Sequence, residues 1–109
     1  MNAFHNYNII INNLSFEWNL NKAISNFRKH GITFHEAASA FFDDEGILLD
    51  DPDHSLDENR FILLAISQKA NLLVISHCYR DQSNAIRIIS ARKATMKESK
   101  QYAKLNESW

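Results

Sequence analysis

The spacing of apolar residues predicts two consecutive amphipathic helices in the first half of the chain. The first helix carries an apolar stripe at i, i+3, i+4 and i+7, formed by Leu20, Ala23, Ile24 and Phe27. Asn19 precedes this stripe as a good N-cap, and Gly31 follows it as the expected C-terminal stop. The second helix repeats the stripe with Phe34, Ala37, Ala38 and Phe41. Thr33 and Glu36 predict a capping box at its start.

Short apolar runs predict strands in the rest of the chain. They cover residues 47–49, 61–66, 72–79 and 86–92, and residues 16–18 form an earlier short strand. The run 61–66 is apolar at every position, which indicates a central strand that is covered on both faces. The connections after residues 66 and 79 are short and favour antiparallel neighbours, because a parallel crossover needs about a dozen residues or more.

A second capping box, Thr95 with Glu98, predicts a last helix over about residues 96–106, with Tyr102 and Leu105 as its anchors. The expected fold is an α+β domain. It contains an antiparallel sheet, a meander of about four strands, with the two N-terminal helices packed on it and a C-terminal helix. The other face of the sheet is expected to be free to carry a site.

Composition bounds the remaining possibilities. We assign residues 14–109 to a single domain and residues 1–13 to an N-terminal extension, which is either a frayed end or an added edge strand. Cys78 is the only cysteine, so no internal disulfide is possible. No apolar run approaches the roughly 20 residues that span a bilayer, and the start lacks the features of a signal peptide. We therefore expect a cytoplasmic protein without a membrane contact.

The net charge of −1 hides an uneven distribution of charge along the chain. Acidic residues outnumber basic ones in residues 1–59, and basic residues outnumber acidic ones in residues 60–109. A basic half suggests a polyanionic partner such as a nucleic acid. The alternative is that the two halves neutralise each other in the fold.

Arg87 stands in the middle of an apolar strand. Strict alternation places Ile86, Ile88 and Ser90 on one face and Arg87 and Ile89 on the other. A guanidinium is costly to bury unless it meets an anion. That anion is either a carboxylate, from Glu58 or an aspartate of the 50–58 loop, or a bound phosphate.

Other charged residues also have a functional and a structural interpretation. Arg60 and Arg92 either converge on one rim of the sheet or are ordinary solvated residues. Glu58 and His54 are candidates for a general base or acid, but Glu58 can instead pair with Arg60, and His54 can cap a turn. Lys29 can reach RNA or stabilise the end of its helix. His77, between apolar strand residues, is interpreted as a core histidine whose polar atoms are satisfied.

The acidic loop raises the possibility of a metal site. Asp51, Asp53, Ser55 and Asp57 have the spacing of calcium ligands, but Leu56 and Ile62 stand where an EF-hand needs glycine and glutamate, so that site is rejected. A hydrolytic metal site formed by Asp50, Asp51, Asp53 and His54 remains a minor alternative. Zinc-ligand spacing, a P-loop and a glycine-rich dinucleotide loop are absent from the sequence. We predict neither a metal nor a cofactor.

Six sequence motifs together resemble one protein family. They are Phe16-Glu17-Trp18, Lys29-His30-Gly31, Phe34-x-Glu36-Ala37, Asp51-Pro52-Asp53-His54-Ser55, Glu58-x-Arg60 and Arg87-Ile88-Ile89-Ser90-Ala91-Arg92-Lys93-Ala94-Thr95. In this order and spacing, from about residue 16 to residue 102, the chain resembles the BrnT toxins of bacterial toxin–antitoxin pairs. The resemblance implies a RelE-like fold and a metal-independent endoribonuclease that arrests growth.

The resemblance also carries expectations about site residues and partners. With it, we predict catalytic roles for Arg87, Arg60, Glu58, Arg92 and His54, and RNA contacts for Lys29, Arg80 and Lys93. It implies a BrnA-like antitoxin that blocks the toxin, contact with operator DNA only through that antitoxin, and a dimer of heterodimers. The chain departs from the family by residues 1–13, by Ala65 in place of a glycine and by fewer arginines in the last helix. The alternative is a catalytically inactive corepressor module.

Overall fold

A computed structural model describes residues 6–51, 59–80 and 84–107 of the chain. The described elements are β1 (Asn6–Ile11), β2 (Leu14–Asn19), α1 (Leu20–His30), α2 (Phe34–Ser39), a 3₁₀ turn (Ala40–Phe42), β3 (Ile47–Asp50), β4 (Arg60–Ile66), β5 (Leu72–Arg80), β6 (Ala85–Lys93) and α3 (Met96–Asn106). The predicted α+β class is confirmed. Within these described ranges, no helix has the length and apolar character needed to cross a membrane.

The sheet is larger than predicted and is mixed. Its strand order is β1-β2-β6-β5-β4-β3, and all neighbours are antiparallel except β2 and β6, which are parallel. The predicted antiparallel meander corresponds to β3–β6, but the prediction of about four strands in all is wrong. Residues 16–18 were predicted as a strand and residues 1–13 as a possible edge strand. Their place in the sheet was not predicted, because the pairing of β2 with β6 joins residues far apart in sequence.

Residues 6–11 form an edge strand, one of the two alternatives for this segment. Asn12 and Asn13 connect β1 to β2 with φ of +47° and +73°. Two successive residues in the left-handed region make a tight hairpin turn, and asparagine tolerates that region better than most residues. Alternate β1 side chains, Tyr7, Ile9 and Ile11, pack against the main core.

Helix α1 begins and ends as predicted, but its apolar stripe is only half covered. The Asn19 side chain accepts a hydrogen bond from the Lys22 N–H at 3.1 Å, and Gly31 stops the helix with φ +73°. Leu20 and Ala23 pack against the core, whereas Ile24 and Phe27 are 51% and 52% exposed. The apolar stripe is therefore only partly covered, and the α1 residue that is buried against β6 is a polar one, Asn26.

Asn26 replaces a strand partner for β6. Its amide donates to the carbonyl oxygens of Ala91 at 2.8 Å and Ile32 at 3.1 Å, and its Oδ1 accepts from the Ala91 N–H at 3.1 Å. The paired residues of β2 and β6 are Phe16 with Ile86 and Glu17 with Arg87. Beyond them, the Asn26 side chain satisfies the β6 backbone, as a neighbouring strand would.

Helix α2 has only half of its predicted capping box. Thr33 caps the helix by accepting from the Glu36 N–H at 3.0 Å. The Glu36 carboxylate instead accepts hydrogen bonds from Ser67 Oγ at 2.6 Å and Asn71 Nδ2 at 2.7 Å, in the turn between β4 and β5. These contacts join α2 to that turn, so the buried glutamate stabilises tertiary packing.

The two faces of the sheet carry separate cores. On the face covered by α1 and α2, called the α1/α2 face, the core contains Phe16, Trp18, Phe34, Leu63, Leu73, Ile75 and Ile88, among others. On the opposite face, called the α3 face, Tyr102 of α3 packs with Leu64 and Val74. The sequence predicted that the second face of the sheet is free. In the structure it is free only in part, because β4 is apolar on both sides and α3 covers part of this face.

Helix α3 has the predicted bounds and a complete capping box. Tyr102 is buried, and its hydroxyl donates to Asp43 at 2.7 Å. Partial burial favours a raised pKa for Asp43, but hydrogen bonds from the Ile66 N–H, the Tyr102 hydroxyl and the Glu45 N–H outweigh it and lower that pKa. Leu105 is 51% exposed, so the prediction that it anchors the helix is wrong.

His77 is the satisfied core histidine that the sequence predicted. The residue is fully buried, and its ring packs edge-on against Phe41 with centroids 4.8 Å apart. Nδ1 lies 3.2 Å from the Ile75 carbonyl oxygen and therefore donates, while Nε2 lies 3.3 Å from the Tyr79 hydroxyl and accepts. Burial lowers the pKa of His77 from 6.5 to about 4, although the bond to Ile75 opposes this shift.

We expect Asn26→Ala to destabilise the fold by about 1–3 kcal/mol, because it leaves buried backbone groups of Ala91 and Ile32 without their partner. Urea unfolding at neutral pH measures the change in the free energy of unfolding. Ser25→Ala, at an exposed position of the same helix, is the control and should change stability by less than about 0.5 kcal/mol. Equal stability of the two variants would contradict the role assigned to Asn26.

His77 should make the fold sensitive to acid. A histidine whose folded pKa is depressed contributes stability above its unfolded pKa of 6.5, and this contribution is lost as the pH falls towards 4. We expect the parent to lose roughly 2–3 kcal/mol more than His77→Gln over that interval. Urea midpoints at several pH values measure the difference. Parallel pH profiles for the two proteins would contradict the assignment.

Candidate functional site

Four side chains from four adjacent strands form one line across the α3 face. In the strand registers, Arg60 pairs with Cys78, Cys78 with Arg87, and Arg87 with Glu17. Residues directly opposite each other in a sheet share a face, so these four form what we call the arginine row. Neighbouring strands lie about 4.8 Å apart, which puts the Cα atoms of Arg60 and Arg87 about 10 Å apart.

Glu17 is the anion that Arg87 meets. Arg87 Nη1 donates to Glu17 Oε2 at 2.8 Å, and Arg80 Nη1 lies 3.9 Å from the same oxygen. The side chains of Arg87 and Glu17 are 20% and 12% exposed, while that of Arg80 is 45% exposed. Among the described residues Arg87 has no second carboxylate, so its other guanidinium donors can still meet a bound anion.

The fold around β2 explains why Glu17 points to this face. Phe16 and Trp18 are each 1% exposed in the main core. Alternation along a strand then sends Glu17 to the opposite side, beside Arg87 of β6. Sequence reasoning missed this residue and named Glu58 and the acidic loop as partners of Arg87. The available signal was the glutamate between two buried aromatic residues, together with an arginine between isoleucines.

A bulge in β6 changes which of its residues share a face. Ser76 pairs with Ser90, but His77 pairs with Ile88, so Ile89 is an extra residue in β6. Ser90 therefore lies on the same face as Ser76 and Arg87. The predicted strict alternation, which put Ser90 with Ile86 and Ile88, is wrong at this point.

Arg92 is held away from the arginine row. Its two terminal nitrogens donate to the two carboxylate oxygens of Glu98 at 2.8 and 2.9 Å. The bond from Arg92 is the largest cause that lowers the pKa of Glu98 to about 2, and Glu98 in turn raises the pKa of Arg92. Arg92 pairs with Val74, four positions from Cys78 on β5, so it stands about 13 Å from Arg87 along the strands.

The other predicted residues are divided among three places. Arg80 joins the row through Glu17, and Arg60 is part of the row itself. Lys29 lies on α1, where it lines a hollow of about 330 Å³ between α1 and β6 together with Lys22, His30 and Ser90. Lys93 is exposed at the end of β6, opposite Leu73. His54 and Glu58 lie outside the described residues, so their roles stay predictions.

A hollow of about 500 Å³ adjoins the row at Glu17. It lies over β1 and β2 and is lined in part by Asn8, Ile10, Ser15, Glu17 and Ala85. This volume is in the range of small-molecule sites.

The described residues contain no group of three or more His, Cys, Asp or Glu side chains that could hold a metal ion. Of the four residues in the alternative metal site, Asp50 and Asp51 are described, and Asp53 and His54 lie outside the described ranges. The alternative of a hydrolytic metal site therefore stays untested.

A mixed sheet with an arginine row on one face is suited to binding a polyanion and stabilising negative charge on phosphate. Comparison with known families identifies the class. The family model for the ribonuclease toxin BrnT of type II toxin–antitoxin systems matches residues 18–98, most of the chain. The chain therefore belongs to the BrnT family of ribonuclease toxins, whose type II systems pair the toxin with a protein antitoxin. No curated protein matches the chain.

We expect Arg92→Ala to lower the free energy of unfolding by about 1 kcal/mol, because it removes a partly exposed bidentate ion pair at the start of α3. Ribonuclease activity should stay within a few-fold of the parent at a temperature where the variant is folded. Lys97→Ala, on the same helix, is the matched control. A large loss of cleavage by the folded Arg92→Ala variant would instead support the catalytic role predicted for this residue.

Proposed function

We propose that this toxin cuts RNA without a metal ion and that Arg87 is its main phosphate-stabilising residue. The observation that carries the proposal is the pairing of Arg87 with Glu17 on the α3 face, with Arg80 and Arg60 on the same face. Guanidinium groups bind phosphate with two parallel hydrogen bonds and keep their charge at every relevant pH. They can therefore supply the positive charge that a metal ion would otherwise provide.

The proposed reaction is an internal transfer. The ribose 2′-oxygen attacks the adjacent phosphorus while a general base takes its proton, and the bond from phosphorus to the 5′-oxygen breaks. A general acid gives a proton to that leaving oxygen, and the products carry a 2′,3′-cyclic phosphate and a 5′-hydroxyl. Negative charge accumulates on the phosphoryl oxygens in the transition state, where a fixed cation lowers the barrier most. We assign this role to Arg87, with Arg80 as the second cation.

Glu17 is proposed as a positioning residue. Among the described residues, Glu17 forms ion pairs with Arg87 and Arg80, so its carboxylate fixes Arg87 before the substrate binds. Preorganised charge is effective because the protein does not have to reorganise during the reaction. Glu58 and His54 remain the candidates for base and acid. Arg60 starts β4 directly after the segment that contains both, so we keep it as the third arginine of the site.

RNA outside the scissile phosphate is proposed to follow basic residues around the row. Arg80 is half exposed next to Glu17, and Lys29 and Lys93 provide exposed charge on α1 and at the end of β6. Such contacts to the phosphate backbone give affinity without sequence specificity and weaken as salt increases. They would orient the strand before cleavage.

The partner in our proposal is a BrnA-like antitoxin that neutralises the toxin. We propose further that the two proteins assemble as a dimer of heterodimers and that contact with operator DNA is made only through the antitoxin. The cytoplasm is the proposed compartment, since the RNA substrate is found there. Family membership supports these points, as does a sheet face whose cations need to be covered when the toxin is inactive.

Arg87→Ala should reduce the cleavage rate by about 10²–10³-fold, the usual cost of removing one group that stabilises transition-state charge. Purified parent and variant are incubated with total RNA in EDTA, and product ends are tested for 2′,3′-cyclic phosphate. Arg87→Lys should restore little activity, because an ammonium group cannot make two parallel hydrogen bonds to phosphate. Arg28→Ala, which changes an exposed residue of α1, is the control and should cleave RNA like the parent.

Three other outcomes would redirect the proposal. Cleavage that disappears in EDTA and returns with a divalent ion would favour the metal-dependent alternative. Intact RNA with folded parent under both conditions would favour the corepressor alternative, which operator DNA binding by the toxin–antitoxin complex would then test. Full activity of a folded Arg87→Ala variant would contradict the role of Arg87 itself.

A further inference from the structure

Helix α1 leaves an apolar groove open on the α1/α2 side of the domain. Its walls include Trp18, Leu20, Ala23, Ile24, Phe27 and Phe34, and it encloses about 340 Å³. Ile24 and Phe27 lie one helical turn apart at its rim and are half exposed. We call this the α1 groove. Contiguous exposed apolar surface of this kind is uncommon on a protein without a partner and marks a site of association.

The charge around the α1 groove defines what can occupy it. Arg28 lines the groove, whereas Lys22 and Lys29 line the separate hollow between α1 and β6, and the α1 sequence contains no aspartate or glutamate. His35 stands at the other side of the groove. A segment with apolar side chains for the groove and carboxylates beside them would complement this surface. A basic or purely polar segment would not.

We infer that the α1 groove is the docking site for the protein antitoxin, and that it binds an apolar antitoxin segment flanked by Asp or Glu. The inference rests on the family's protein antitoxin and not on the ribonuclease mechanism proposed above. Interfaces of this type take most of their binding energy from a few buried apolar or aromatic anchors. Phe27 and Ile24 supply such anchors on the toxin, and the groove has room for anchors of the partner.

One other docking surface and one other occupant of the α1 groove are weaker candidates. Leu48 and Leu49 are exposed on the edge strand β3, but an aspartate, Asp50, follows them in the same strand. RNA is also a poor occupant, because the walls of the α1 groove are apolar and the arginine row lies on the opposite face of the sheet. In the described part of the chain, the α1 groove combines exposed aromatic surface and concavity with a lining cation, Arg28.

The test measures the dissociation constant of the cognate antitoxin, produced separately and titrated against purified toxin variants. Ile24→Glu and Phe27→Glu should each weaken binding by at least about tenfold, since each puts a charge into an apolar interface. Glutamate is well tolerated in helices, so both variants should fold, and urea unfolding checks this. Leu105→Glu is the matched control, because Leu105 is equally exposed on α3 and should leave binding unchanged.

A second arm tests the predicted chemistry of the antitoxin segment. Binding by the parent should weaken as salt increases, and Arg28→Glu should bind more weakly with a flatter salt dependence. Affinity of the parent that does not change with salt would overturn the carboxylate part of the inference. Parent-like antitoxin binding by folded Ile24→Glu and Phe27→Glu would overturn the docking site as a whole.

Further measurements separate this inference from the other proposals. Light scattering measures the oligomeric state of the toxin alone. If the parent is a dimer and both groove variants are monomers, the groove joins two copies of the toxin and the docking inference is overturned. If Ile24→Glu and Phe27→Glu lose binding to an uncleavable 2′-O-methyl oligoribonucleotide but still bind the antitoxin, the α1 groove binds RNA and the docking inference is overturned. If the parent cuts no RNA, the ribonuclease mechanism fails while the antitoxin titration still decides the docking site.

Discussion

The pairing of β2 with β6 is the contact on which the candidate site depends. It joins Phe16 to Ile86 and Glu17 to Arg87 across 70 residues of sequence. Burial of Phe16 and Trp18 fixes the orientation of β2, and that orientation brings a carboxylate to Arg87, in the apolar part of strand β6. The burial of these aromatic side chains thus positions the Arg87–Glu17 ion pair. Because 80–90% of each charged side chain is covered, loss of either partner would leave a costly unpaired charge.

The end of this pairing is equally important for the rest of the fold. Where β2 leaves β6, the chain turns into α1, and the buried Asn26 amide takes over the hydrogen bonds of the β6 backbone. The bulge at Ile89 lies at the same place and shifts the alternation of β6 by one residue. As a result, Arg87, Ser90 and Arg92 all belong to the α3 face, although their spacing in sequence does not place them together.

Local structure could be predicted from the sequence because its causes are local. The caps at Asn19, Gly31 and Thr95 need only residues within one turn, and they were predicted correctly. The unpredicted features all depend on distant residues. Glu36 looked like a capping residue but binds Ser67 and Asn71, and Glu17 gave no local sign of its partner. Similarly, the spacing of Ile24 and Phe27 defines a stripe without saying what covers it.

The positions of the α1 groove and the arginine row limit how an antitoxin could silence the toxin. Trp18 and Glu17 are neighbours on β2, but Trp18 lines the groove and Glu17 points to the other face. One explanation is that binding in the groove moves β2 and disturbs Glu17. That requires β2 to have two stable arrangements, and its ladders with β1 and β6 and its buried aromatic residues oppose any shift. An antitoxin anchored in the groove would more simply block RNA with a second segment that crosses the β1 edge and covers the arginine row.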